Sequence, residues 1–143
     1  MLLESVAVRV FVPILLRFAL AAVFIYHGLG KVGPEANFGF SWGDKMPDPP
    51  PKVIQALVAW GEVLGGAACA LGILTRIAAL GLAAIMVGAI VTVHGPHGFS
   101  MEHSGYEYNL VLIVVCLSLA LLGPGTISLD RVIKVNMRGP AKY

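Results

Sequence analysis

The sequence predicts an all-α protein: a bundle of four transmembrane helices followed by a short C-terminal amphipathic segment, forming a single membrane domain over residues 1–143. Three observations predict it. The chain of 143 residues is 57% hydrophobic and only 13% charged, with mean hydropathy +0.83, too little charge to coat a soluble surface. Four apolar runs, about 8–29, 53–74, 77–93 and 106–122, come close to the ~20 residues needed to cross a bilayer. Arg17 and Glu62 stand near the middle of two of these runs. Charges in hydrocarbon are costly unless paired, hydrated or neutralised, so a polar interior is expected between the helices.

The first span, Val8 to Leu29, holds Arg17 at its centre and His27 near its end. Read as a secretory signal peptide cleaved at Ala19-Leu20-Ala21, it would keep an apolar core of only Val10–Leu16, so a membrane span is the stronger reading. A long connection follows from Gly30 to Lys52, with Phe38, Phe40 and Trp42 among glycines and then Pro47-Asp48-Pro49-Pro50-Pro51. Serial proline forbids helix and favours extended chain. The aromatics are expected at headgroup depth or folded back over the bundle mouth. In the second span Glu62, Gly65, Gly66, Cys69 and Gly72 share one face by their spacing of three and four. Small residues there let helix backbones approach closely. Thr75-Arg76 allows only a tight turn, making the second and third spans antiparallel neighbours. His94–Gly105, rich in His and Gly, links the third to the fourth. After Gly123-Pro124-Gly125, Ser128 is placed to cap a short amphipathic helix through Ile133 on the membrane surface.

A net charge of +2 gives no basis for binding nucleic acid; the surroundings this chain is built for are the lipid bilayer. Four spans put both termini on one side. With that side cytoplasmic, Arg9, Arg76, Arg131, Lys134, Arg138 and Lys142 lie inside, against Lys31, Lys45 and Lys52 outside, as the positive-inside rule requires. The chain is therefore expected in the cytoplasmic membrane with N- and C-termini in the cytoplasm. Cys69 and Cys116 differ in depth by roughly 7 Å on helical rise, so they are read as packing residues rather than a disulfide.

On the first span Arg17, Phe24, His27 and Lys31 fall within an arc of about 80°. Taking Gly30 as the outer surface, Arg17 lies about 20 Å deep and Glu62 about 14 Å. A guanidinium can close that gap, so an Arg17–Glu62 pair is geometrically feasible and would reduce the cost of burying both. The remaining polar groups gather at the outer end. His27 ends the first span, His94 ends the third, and Glu107 opens the fourth between Tyr106 and Tyr108. Glu107 shares a face with Ser118, whereas Asn109 points elsewhere, with Cys116. The expected result is an outward-opening cavity lined by His27, Glu62, His94 and Glu107, with Lys31 at its lip. Histidine exchanges protons near neutral pH and a carboxylate can receive them, which suits quinone or quinol chemistry. Each histidine taken alone is better explained by interfacial hydrogen bonding. A haem held by His27 and His94 has no further motif behind it. A metal on His94, His97, Glu102 and His103 matches no ligand spacing, and none is expected.

These residues, in order along nearly the whole chain, resemble the DoxX family of small four-helix membrane proteins. The resemblance rests on Arg17, on His27-Gly28 and Lys31, on Glu62 with Gly65-Gly66, Gly72 and Thr75-Arg76, and on His94 with Gly98-Phe99-Ser100. It continues through Gly105-Tyr106-Glu107-Tyr108-Asn109 and Leu122-Gly123-Pro124-Gly125 to Ser128-Leu129-Asp130. It implies membership of membrane oxidoreductase systems: quinol oxidase components, thiosulfate-to-quinone electron transfer, or complexes that handle thiol and oxidative stress. No single catalytic residue carries over from the family, and the run Pro47–Pro51 looks specific to this sequence.

The resulting expectation is a membrane subunit of a redox complex offering an outward-facing site to a quinone or small redox molecule. His27, Glu62, His94 and Glu107 are its candidate proton-handling residues, and Arg17, Lys31 and Asn109 its candidate ligand-binding ones. No Gly-rich phosphate motif or cysteine cluster appears in the sequence, so electrons would come from a partner redox subunit or the ligand, and a second copy of the chain is the other expected partner. The rival is a non-enzymatic assembly or scaffolding subunit whose buried polar network is structural. A transporter is disfavoured by spans without broken half-helices.

Overall fold

The computed structural model describes residues 6–137; Arg138, Lys142 and both chain ends, which entered the charge comparison, lie outside the described residues. Helix α1 covers Val12–Val32, α2 Lys52–Leu71, α3 Thr75–Ala89, α4 Glu107–Leu122 and α5 Leu129–Met137. A π-helical turn at Ala7–Phe11 leads into α1, and another at Ile90–His94 prolongs α3. Three segments are long and apolar enough to cross a membrane, Val8–Val32, Lys52–Leu71 and Thr75–His97, and the shorter apolar helix α4 completes a four-helix membrane bundle. The 16 residues of α4 rise about 24 Å, against a hydrocarbon core of about 30 Å.

Helices α1 to α4 each pack on their neighbours in sequence, and α4 closes the ring against α1. Leu20, Phe24, Leu82, Met86 and Leu119 fill the centre, with Cys69 and Cys116 buried and free. Outward-facing side chains such as Leu15, Phe18, Leu64, Leu80 and Leu121 are equally apolar. Apolarity alone therefore does not hold the helices together, and close packing has to. Small residues provide it. A Cβ on Gly28 of α1 would stand 2.7 Å from Val63 Cγ2 and 2.8 Å from the Val63 nitrogen. The glycine face of α2 serves two neighbours: Gly66 meets Ile25 of α1, while Gly61 and Gly65 meet Ile85 and Leu82 of α3.

The Arg17–Glu62 pair that helical geometry allows does not form. Arg17 is 4% exposed and spends its donors on backbone carbonyls, Nε to Cys69 at 2.8 Å and Nη2 to Ala70 at 2.7 Å. Its Nη1 donates to Pro124 at 3.1 Å and Ile127 at 2.5 Å. The first two acceptors are carbonyls of the last turn of α2, where a cation is also favoured by the helix dipole. Gly72 ends α2 in the left-handed region at φ 70°, and Ile73 and Gly72 donate back to Ala68 and Cys69, a Schellman stop. That stop explains why α2 finishes at Leu71, short of the expected 74. A side chain at Gly72 would also collide with Ser128 Cβ at 2.7 Å and Arg17 Cζ at 2.9 Å.

Two more remote caps complete this end. Asp130 accepts from the Leu74 and Thr75 amides at 2.8 and 3.2 Å, capping α3, and Arg76 donates to the Ala120 carbonyl at 2.8 Å near the end of α4. Ser128 does not cap α5 through its side chain as expected; its hydroxyl donates to the Gly125 carbonyl at 3.3 Å. Leu129, Val132 and Ile133 are exposed on α5, leaving it an apolar face of the kind that lies in a membrane surface.

Candidate functional site

At the opposite end the helices part around a cavity of about 770 Å³, within the range usual for small-molecule sites. Most of its wall is apolar, from Val23 and Phe24 on α1 to Leu112 on α4. The polar exceptions include His27, Lys31, Glu62, Thr92, His94, Ser104, Tyr108 and Asn109. Arg17 lies at the other end of the bundle, and the cation beside Glu62 is Lys31. Lys31 Nζ sits 2.5 and 2.7 Å from the two carboxylate oxygens of Glu62, whose side chain is 2% exposed against 24% for Lys31. The same ammonium stands 5.3 Å from the ring centroid of Trp42, within cation–π range. Glu62 can face α1 because Gly28 brings the helices together beside it, a Cβ there lying 3.1 Å from Glu62 Cβ.

His94 Nδ1 lies 2.7 Å from the Ser104 carbonyl. A carbonyl only accepts, so Nδ1 carries the proton and neutral His94 keeps Nε2 as an acceptor. His27 is on the wall without a hydrogen-bond partner among the described residues, its ring edge-on to Tyr26 at 5.5 Å. Asn109 is 6% exposed. Its Nδ2 meets only the weak acceptor Met86 Sδ at 3.5 Å, and no described residue bonds Oδ1. A buried amide so poorly served is ready for a ligand's donor or acceptor.

Glu107 is not on the cavity wall, contrary to expectation. Its Oε1 accepts from the Met101 amide at 2.9 Å, while the Glu107 amide donates to the Phe99 carbonyl at 3.0 Å. It fastens the loop between α3 and α4. Residues 107 and 109 lie about 200° apart on a helix, so only one of them can face inward, and it is Asn109, in line with buried Leu112 and Cys116. Ser118, on the Glu107 side, is half-buried and donates to the Val114 carbonyl of its own helix. In the same loop His97 Nδ1 bonds the Val93 carbonyl. Among the described residues no three His, Cys, Asp or Glu gather to hold a metal.

The long loop between α1 and α2 folds back over the cavity, with Trp42, Met46 and Pro50 on the wall. Sequence reasoning missed the residue that pins it. Gln55, fully buried in the first turns of α2, accepts from the Gly43 amide at 2.8 Å and donates to Asp44 and Pro50 at 3.0 and 2.9 Å. Its carbonyl receives the Trp42 indole N–H at 2.7 Å. A lone amide inside an apolar run was the available signal. Asp44 is also held by Lys52, and hydrogen bonds from Lys52 and then Gln55 keep its carboxyl below the usual range.

With this geometry in place, comparison with known proteins decides the family. The DoxX profile matches residues 12–95, more than half of the chain. The chain belongs to the DoxX family. It is 32% identical over 126 residues to an uncharacterised protein of Haemophilus influenzae, covering 85% of this chain and 82% of that one. It is 31% identical over 118 residues to a Bacillus subtilis protein named "Putative oxidoreductase CatD", covering 82% of this chain and 83% of that one. No solved structure matches. The DoxX match contains Arg17, His27, Lys31, Glu62 and His94, and ends before Glu107 and Asn109. The DoxX-like residues thus divide in space: Arg17, Gly72, Thr75-Arg76, Gly123 and Asp130 knit one end, and His27, Lys31, Glu62, His94 and Asn109 surround the cavity at the other.

Proposed function

We propose that this protein is a membrane component of an oxidoreductase system and binds a quinone, or a small molecule of similar redox chemistry, in the cavity, which faces outward from the cell. The observation that carries this reading is a large apolar chamber whose lining holds an ion pair, a histidine and an under-bonded amide, brought in from different helices. Asn109 and Lys31 supply donors for a ring carbonyl, and the Glu62–Lys31 pair and His94 can pass protons. Reduction of a quinone to its quinol takes two electrons and two protons. The protons come through these side chains, and the electrons are supplied by a partner redox protein. The Bacillus subtilis relative named a putative oxidoreductase supports the oxidoreductase part of this reading.

Trp42 lies on the cavity wall, so quinone binding should quench its fluorescence. Purified protein titrated with menadione or decylubiquinone is expected to show saturable quenching. Loss of one buried hydrogen bond costs about 1.4 kcal/mol or tenfold in affinity, which is the weakening expected for Asn109→Leu with helicity retained. The absence of saturable binding by the parent protein would overturn the redox reading and favour a scaffold, for which the knitted Arg17 end already provides the architecture.

A further inference from the structure

One wall of the cavity is apolar and unsealed. Helices α2 and α3 leave their tight turn in contact, Gly65 against Leu82 and Gly61 against Ile85. One turn farther the same antiparallel register sets Leu57 and Val58 opposite Gly88 and Ala89, and Ile54 opposite Thr92. All six line the cavity, and a Cβ built on Gly88 meets nothing within 4 Å. Leu57 is 62% and Ile54 47% exposed, so this seam opens toward the hydrocarbon that surrounds the bundle. Thr92 donates its hydroxyl to the Gly88 carbonyl at 2.8 Å, which satisfies the hydroxyl within its own helix and leaves the seam without a free side-chain donor. The π-helical turn of α3 begins at Ile90, beside the place where the two helices part.

We propose that the α2–α3 seam is a lateral portal to the bilayer, through which a lipid-soluble ligand enters head first and its hydrocarbon tail remains outside. The inference rests on the redox reading of the cavity and narrows its ligand to tailed quinones. The polar head meets Asn109, whose Oδ1 is unpartnered among the described residues in a side chain 6% exposed, together with Lys31 and His94. The tail leaves between Leu57 and Gly88. Lipid is as apolar as this seam, so a tail that can leave neither helps nor harms binding once concentrations are referred to the membrane.

The test uses the whole protein in nanodiscs, titrated with ubiquinone-0, the bare ring, and with decylubiquinone. The parent should bind both with similar membrane-referenced affinity. Gly88→Phe, which fills the portal, should weaken decylubiquinone about tenfold or more and leave ubiquinone-0 within about twofold. Gly81→Phe is the matched control, because Gly81 is exposed and open on the same helix, and it should change neither. Equal binding of both quinones by Gly88→Phe overturns the portal and leaves the redox reading standing. Equal loss of both overturns it too, by placing Gly88 in the head site. If the parent binds neither quinone, the redox reading falls and the portal with it.

Discussion

Replacing Arg17 with methionine removes a volume-matched stem's charged head and with it four hydrogen bonds to backbone carbonyls. Polar contacts between membrane helices are worth about 0.6 kcal/mol on average and up to about 1.7, so four of them bracket roughly 2.4 to 7 kcal/mol. Freedom from burying a guanidinium lowers the net loss, and the carbonyls left without donors raise it. The expected destabilisation is about 3 kcal/mol by these principles. Arg17→Lys should recover less than half, because a single ammonium cannot reach both the end of α2 and the turn after α4. Reversible unfolding in mixed micelles with increasing SDS measures both variants. The cavity should keep its ligand affinity wherever the variant is folded, since Arg17 and Lys31 are about 21 Å apart along α1. A loss under about 0.5 kcal/mol, the size of an ordinary surface change, would refute the clamp.

Lys31→Met should destabilise by about 3 kcal/mol because it strands buried Glu62, and Lys31→Met with Glu62→Gln should be milder than the single change; a double-mutant cycle checks the sign. Gln55→Leu should cost about 1–3 kcal/mol and speed hydrogen exchange at the Gly43 amide. Asp44 has its folded pKa below its unfolded one, owing first to Lys52 and then to Gln55. Its contribution is therefore present above the unfolded value and is lost as pH falls through the folded one. Melting scans from neutrality to about pH 3 should show the parent losing more stability than Asp44→Asn, by a small amount because the side chain is exposed. Gly28→Ala, which would press on the Val63 backbone, should cost about 1–3 kcal/mol, measured by the same SDS titration.

The helices were legible because hydropathy and length report directly on a solvent of hydrocarbon. The partner of Arg17 was not, because its acceptors are main-chain carbonyls and no residue type advertises them. Gly72 and Gly123, each just beyond a helix end, were the faint markers of close approach. Glu62 turns inward by its place on the glycine face, whereas the position of Lys31 at the end of the span marks a rim residue although it shares an arc with His27. At the start of α4 a charged residue looked the better occupant of a cavity than an amide. The buried stripe Asn109, Leu112, Cys116 and Leu119 shows that helical phase was the stronger guide. Gln55 and the folded-back loop around Trp42 depend on contacts between distant segments, which periodicity does not encode.

The brevity of α4 reaches beyond the bundle. Lipid beside it must shorten by several ångströms relative to lipid beside α1, or the helix must stand more upright than its neighbours, and either adjustment costs fractions of a kcal/mol per ångström. The collar of lipid around this protein is accordingly uneven. Its pinched sector favours short acyl chains and any other protein whose own spans are equally short.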